Sequence, residues 1–297
     1  MTRRSLILVA ILSALCLTAA GRERRVSVAV LDMGATEAGA RASERLAKAI
    51  ASARAGGRLA LLDREMSRAA ARGVGYAGSL NMTLAEARSL GAAVGCDFFF
   101  TGDAQTVRRS SSERPVYFES YASVFLVSAR TGELVLWERP AAEADTAARA
   151  FAALLEVLDS NFAARLASAL LDAAAREERE RFAPPATEPP PVIDLSADGA
   201  AEAHRDLREP APYRRLRPAY TDAASRAEAE ATVDAEVEIG ADGEVGRVRV
   251  VRWAGFGLDE EVVATIRRMH FHPAARDGEP VAVRVLLRYN FRRPPKG

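Results

Sequence analysis

Apolar and polar positions alternate or recur at helical steps along most of this chain, and the pattern predicts its elements in order. Residues 25–32 form a strand with Val26, Val28 and Val30 on one face. Residues 36–55 form a helix whose packing stripe is Ala42, Leu46, Ala49 and Ile50, ended by Gly56 and Gly57. A second strand at 59–63 and a short helix at 64–72 lead into the loop Gly73-Val-Gly-Tyr-Ala-Gly78. Thr83 followed by Glu86 is a capping box opening a helix through Leu90. Residues 98–101 are a third strand, 108–114 a polar loop, and 116–129 with 133–139 a hairpin turning at Arg130-Thr131-Gly132. From Asp145 the spacing of Phe151, Leu154, Leu158, Phe162, Leu166, Ala169 and Ala173 predicts a long helix docked on the sheet. Its charged end, 176–181, reads as a solvated tail.

The pattern lapses at 183–191, where five of nine residues are proline, and polyproline geometry gives a stiff spacer of ~3 Å per residue. Residues up to 212 add weakly patterned polar chain. Alternation returns at 231–239, with Val233, Ala235, Val237 and Ile239 on one face and Asp234, Glu236 and Glu238 on the other. Turn residues 240–243 close a hairpin onto 245–253, which sets Arg247 and Arg249 against those acids. Leu258, Val262, Ile266 and Met269 then repeat at helical spacing, with Asp259, Glu260 and Glu261 in the first turn, where the helix dipole favours negative charge. Residues 281–291 close the unit as a last strand. The fold class is α/β (α+β) in two domains. A mixed sheet with flanking helices and a long C-terminal helix is followed by a small β-β-α-β domain.

The segments Val245-Gly-Arg-Val-Arg-Val-Val, Leu258-Asp-Glu-Glu-Val-Val, Met269-His-Phe-His-Pro-Ala-Ala and Asp277-Gly-Glu-Pro-Val, with the closing strand, resemble the C-terminal domain of the TonB energy-transducer family. Val28-Ala-Val-Leu-Asp32, Leu61-Leu-Asp-Arg64, Asn81-Met-Thr-Leu-Ala-Glu-Ala87 and Gly95-Cys-Asp-Phe-Phe-Phe-Thr-Gly102 resemble the periplasmic domain shared by the CsgG, FlgO and LpoB proteins. The expected organisation is a signal segment at 1–20, an envelope domain at 25–181, a Pro-rich linker at 182–212 and a TonB-like domain at 213–297. The TonB resemblance implies that the last strand takes the N-terminal peptide of an outer-membrane receptor by strand addition. This nominates Val283, Arg284, Val285, Leu286, Leu287, Arg288 and Tyr289. It implies TonB-dependent outer-membrane receptors as partners in transmembrane transport. The second resemblance implies other envelope proteins as partners and leaves a scaffold or regulator of envelope assembly or secretion as the alternative function. Transducers of this family draw on the proton gradient through an uncleaved helix carrying a histidine. Residues 5–20 contain none, which favours binding over energy coupling.

Composition changes this picture little. Apolar residues make up 49% and charged residues 27%, enough for a buried core, and a net charge of +1 gives nucleic acid no electrostatic purchase. Arg3 and Arg4 before the apolar run 5–18 and Thr18-Ala-Ala20 read as a signal peptide. Export to the periplasm follows, or an inner-membrane anchor if the segment stays uncleaved. Cleavage would leave Cys96 alone, a packing thiol.

Candidate chemistry is sparse. Gly73 to Gly78 fits a dinucleotide fingerprint but follows a helix instead of a strand. His270 and His272, even with Glu279, fall short of a metal site, and His204 lies apart in the linker. Asp32, Asp63, Asp97 and Asp103 sit near strand ends, where an α/β sheet often places a site, yet strand-end caps account for them. No nucleophile has a readable base. The chain is therefore expected to be non-enzymatic, without cofactor or metal, and a homodimer is left open.

Overall fold

The computed structural model describes residues 25–53, 57–159, 161–183, 192–197, 200 and 204–293. The expected signal segment at 1–20 and the proline run at 184–191 lie outside these residues. In the N-terminal unit, β1 (Val26–Met33), α1 (Glu37–Ser52), β2 (Leu59–Leu61), α2 (Arg64–Gly73), α3 (Leu84–Val94) and β3 (Phe98–Arg109) form crossover units between parallel strands. Next come β4 (Tyr117–Ser128), β5 (Leu134–Glu138), β6 (Ala141–Ala144), α4 (Ala147–Asp159) and α5 (Asn161–Phe182). The sheet runs β2-β1-β3-β4-β5, and β6 joins β4 beside β5. β1 is parallel to both neighbours and the remaining pairs are antiparallel.

Most elements fall where the pattern put them, down to the Thr83–Glu86 capping box. Two differ. β3 continues from Thr101 to Arg109, because β4 supplies backbone partners in unbroken register from Phe98↔Ser128 to Arg109↔Tyr117. The polar loop expected at 108–114 therefore begins inside this strand. β6, unmarked by any hydrophobic alternation, is fixed by the same strand.

Both faces of this sheet are buried. Val28, Val30, Phe98, Phe100, Val124 and Leu126 pack beneath α1, α4 and α5, against Leu46, Ile50, Leu154, Leu158 and Leu166. Ala29, Leu31, Phe99, Phe125 and Val127 face the other way, onto Leu84, Ala87 and Leu90 of α3 and onto the C-terminal unit. Two-sided cover explains the unbroken apolar runs Phe98-Phe99-Phe100 and Val124-Phe125-Leu126-Val127. Each of these larger side chains contributes about 1.5–3 kcal/mol when fully removed from water.

The C-terminal unit contains β7 (Ile193–Asp194), β8 (Leu207–Arg208), β9 (Ala211–Pro212), α6 (Asp222–Ala227), β10 (Ala231–Ile239) and β11 (Val245–Arg252). It ends with α7 (Leu258–Ile266), β12 (Phe271–His272), β13 (Ala274–Arg276), β14 (Glu279–Val281) and β15 (Val283–Phe291). Its main sheet is β11-β10-β15-β7. Leu258, Val262 and Ile266 of α7 are fully buried in one cluster with Val233, Ala235, Val237 and Val283. This is the expected β-β-α-β order, with 281–291 divided at Ala282 because Val281 belongs to the hairpin β13–β14. Within the stretch expected to be spacer, β7 pairs with β15, β8 with β13 and β9 with β12. A polar sequence hides these short strands because their partners lie about 60–90 residues downstream.

The two units share one core. Trp253 stacks against Phe125 at 5.8 Å between ring centroids, and Phe256 meets Phe125 at 5.6 Å and Trp137 at 5.0 Å. The Trp253 indole N–H donates to Gly132 O at 3.0 Å. Asn81 acts as a side-chain clasp: its Nδ2 donates to Thr232 O and Trp253 O, and its Oδ1 accepts from Thr232 N. Gly255, at φ 71°, sits so close to the aromatic cluster that a Cβ there would lie 2.5 Å from the Phe125 ring.

Candidate partner-binding edge

β15 runs between β10 and β7. Its full length pairs with β10, from Val283↔Ile239 to Phe291↔Ala231. On its other side β7 covers only Val283 and Arg284. Ile193 N donates to Ala282 O and Leu195 N to Arg284 O, so the even-numbered residues turn their backbone groups toward that side. Beyond Arg284, no further described strand borders it. A groove of about 350 Å³ opens there instead, walled by Pro210, Pro212, Leu216, Met269 and Phe271 opposite residues 285–289.

The nominated residues divide between the two faces of the strand. Val283 is buried, and Val285, Leu287 and Tyr289 are half-buried on the core side, where the Tyr289 hydroxyl donates to Met269 Sδ at 3.6 Å. Leu286 projects outward, 36% exposed. Arg284 pairs with Glu238 at 2.9 Å and Asp194 at 3.1 Å, and Arg288 grips the nearly buried carboxylate of Asp234 at 2.7 and 3.0 Å. Glu236 faces Arg249 across the hairpin as expected, whereas Asp234 and Glu238 find β15 arginines. A bulge in β10–β11 brings Arg252 opposite Asp234, and Arg249 reaches across to Glu133 of the N-terminal unit at 3.6 Å. The middle strand β10 simply has cations on both neighbours, and those of β15 have the better geometry.

The other candidates have structural partners. Asp32 pairs with Arg64 and Arg68, Asp63 caps α2 through Met66 N, and Asp97 accepts from Ser27 N and Oγ. Asp103 accepts from Gln105, and burial raises its pKa above the ordinary carboxyl value. The loop at Gly73–Gly78 is pinned by Tyr76, whose hydroxyl lies 2.7 Å from Thr101 Oγ1. His270 contacts Glu244, His272 lies against Tyr213, and His204 contacts Arg276, so the three histidines stay apart. Among the described residues no cluster of His, Cys, Asp or Glu could hold a metal. Burial pushes the Cys96 thiol up to about 12, and Asp97 beside it adds to the effect, which suits a packing thiol.

The sequence pattern missed Asn81, Trp253, Phe256 and Ile193. Only Trp253 and Phe256 left a signal, as large aromatics next to a strand-breaking Gly255-Phe-Gly257. No described helix is long and apolar enough to cross a membrane.

Residues 217–292 match the family model described as the Gram-negative bacterial TonB protein C-terminal. Among solved structures, the chain is similar to the TonB C-terminal domain of Pseudomonas aeruginosa, with a TM-score of 0.27 and 21% identity over 35% of this chain and 96% of that one. It is also similar to the LpoB C-terminal domain of Salmonella enterica, at TM-score 0.27 and 17% identity over 43% of this chain and 90% of that one. A third likeness is lipoprotein GNA1162 of Neisseria meningitidis, at 0.29 and 12% over 51% and 99%. No curated protein gave a significant match. The last quarter of the chain is thus similar to the Gram-negative TonB C-terminal domain, and it is seated on an N-terminal α/β unit.

Proposed function

We propose that this protein is a non-enzymatic adaptor of the cell envelope, and that it binds peptides of outer-membrane transporters by strand addition along β15. The observation that carries this reading is the side of β15 toward which Leu286 and Asn290 turn their backbone groups, where a groove of mixed apolar and polar lining opens and no further described strand lies. Unpaired main-chain groups give an added strand its affinity, and pockets beside alternate side chains give it selectivity. The TonB family match over 217–292 supplies the partner class. The signal-like residues 1–20 supply the address, the periplasm.

A photo-crosslinking amino acid at Leu286, in cells that express the protein natively, tests the reading. Adducts with β-barrel transporters are expected, and they disappear when Asn290 is replaced by proline, which removes an edge donor. Adducts confined to other envelope proteins would overturn the transporter assignment.

A further inference from the structure

The first positions of the β15 edge are already taken, by the chain itself. Residues 192–195, Val-Ile-Asp-Leu, lie along β15 in parallel, with Ile193 opposite Val283 and Asp194 opposite Arg284. Two backbone hydrogen bonds fix them, Ile193 N to Ala282 O at 3.1 Å and Leu195 N to Arg284 O at 2.7 Å. Ile193 and Leu195 pack against the shared core, while Asp194 points outward to the Arg284 guanidinium at 3.1 Å. The Asp194 carboxylate also accepts from Ser196 N and Oγ, which turns the chain away from β15 just where the open groove begins.

We propose that residues 192–195 are an internal ligand of this edge, exchanged for a partner peptide of the same apolar–acidic–apolar pattern. The inference rests on the strand-addition reading above and names the chemistry and regulation of that site. The pairing is short: two register positions, two backbone hydrogen bonds, one half-exposed ion pair and the partial burial of Ile193 and Leu195 hold it. Exposed ion pairs add little, so the segment is held weakly enough to be exchanged. A longer partner peptide gains the same contacts and continues past Arg284 along Leu286 and Asn290 into the groove. Its apparent affinity is reduced by the fraction of molecules in which 192–195 occupy the edge.

A fluorescein-labelled peptide of residues 190–197 is the probe, titrated by anisotropy into the full chain and into the Ile193→Lys and Asp194→Lys variants. Asp194→Lys changes an exposed side chain and guards against a folding defect in Ile193→Lys. Both variants are expected to bind the peptide about tenfold more tightly than the unmodified chain, because their own segment no longer competes. A probe carrying Lys at the Asp194 position should bind all three proteins more weakly. Equal affinity for the unmodified chain and both variants would overturn the internal-ligand proposal and leave strand addition standing. Binding to none of them, alongside transporter adducts at Leu286, would overturn it as well. Absence of both the binding and the adducts would remove the strand-addition reading itself.

Discussion

Asp259 shows how far one side chain can depart from its apparent role. Its place in the first turn of α7 suits a helix dipole, but the carboxylate is buried and turned back onto its own loop. There it accepts from Ala254 N at 2.8 Å and Gly255 N at 2.7 Å. Burial pushes its pKa up to about 7 despite those two donors. The folded chain therefore holds this proton more tightly than the unfolded one. The resulting stability is fully present below the ordinary carboxyl range and is lost as pH rises toward 7. Asp259→Asn removes the titration and leaves one loop N–H facing an amide NH₂, a loss of about 1–3 kcal/mol at pH 5. Urea unfolding at pH 5 and pH 8 checks both points: the advantage of aspartate over asparagine should shrink at the higher pH. Gly255 lies in the same loop. Gly255→Ala would strain a left-handed backbone and drive a methyl group into Phe125, so a loss of at least about 2 kcal/mol is expected in thermal melts.

Among the elements, those that carry their own periodicity were legible. The 231–239 alternation became β10 and the stripe at Leu258, Val262 and Ile266 became α7. Thr83 and Glu86 formed the reciprocal cap on α3. Thr83→Ala should lower the melting free energy by about 0.5–2 kcal/mol, measured by chemical denaturation. Elements that exist because of a distant partner were not legible. The outer half of β3, β6 and the short strands β7 to β9 take their hydrogen bonds from residues their own sequence does not mention. The site divides along the same line. Alternation along β15 gave the correct faces for Arg284, Leu286 and Arg288, whereas the strand beside them came from a stretch whose prolines and polar residues suggested a spacer.

At the scale of the whole molecule, the clasp at Asn81 and the cluster of Phe125, Trp137, Trp253 and Phe256 make the two units one body. Neither unit's sequence announces this, because a buried aromatic looks the same whichever core it enters. Calorimetry of the full chain should give a single cooperative transition, and Trp253→Ala, at a loss of about 3–5 kcal/mol, should split or broaden it. Two well-separated transitions in the unmodified chain would contradict the shared core. Deleting residues 213–297 would also strip the cover from Phe99, Phe125 and Val127, so such a truncation tests stability together with partner binding.

That shared face also sets an order of events in time. β1, β3 and β4 are synthesised by residue 128, yet the groups that seal their second face, from Val233 to Ile266, emerge more than 100 residues later. Until then only α3 covers this face, and the remainder, Phe125 included, is open to any apolar partner near the nascent chain. The C-terminal unit must be complete before the second face of the first sheet can close fully, so this face is among the last parts of the core to form.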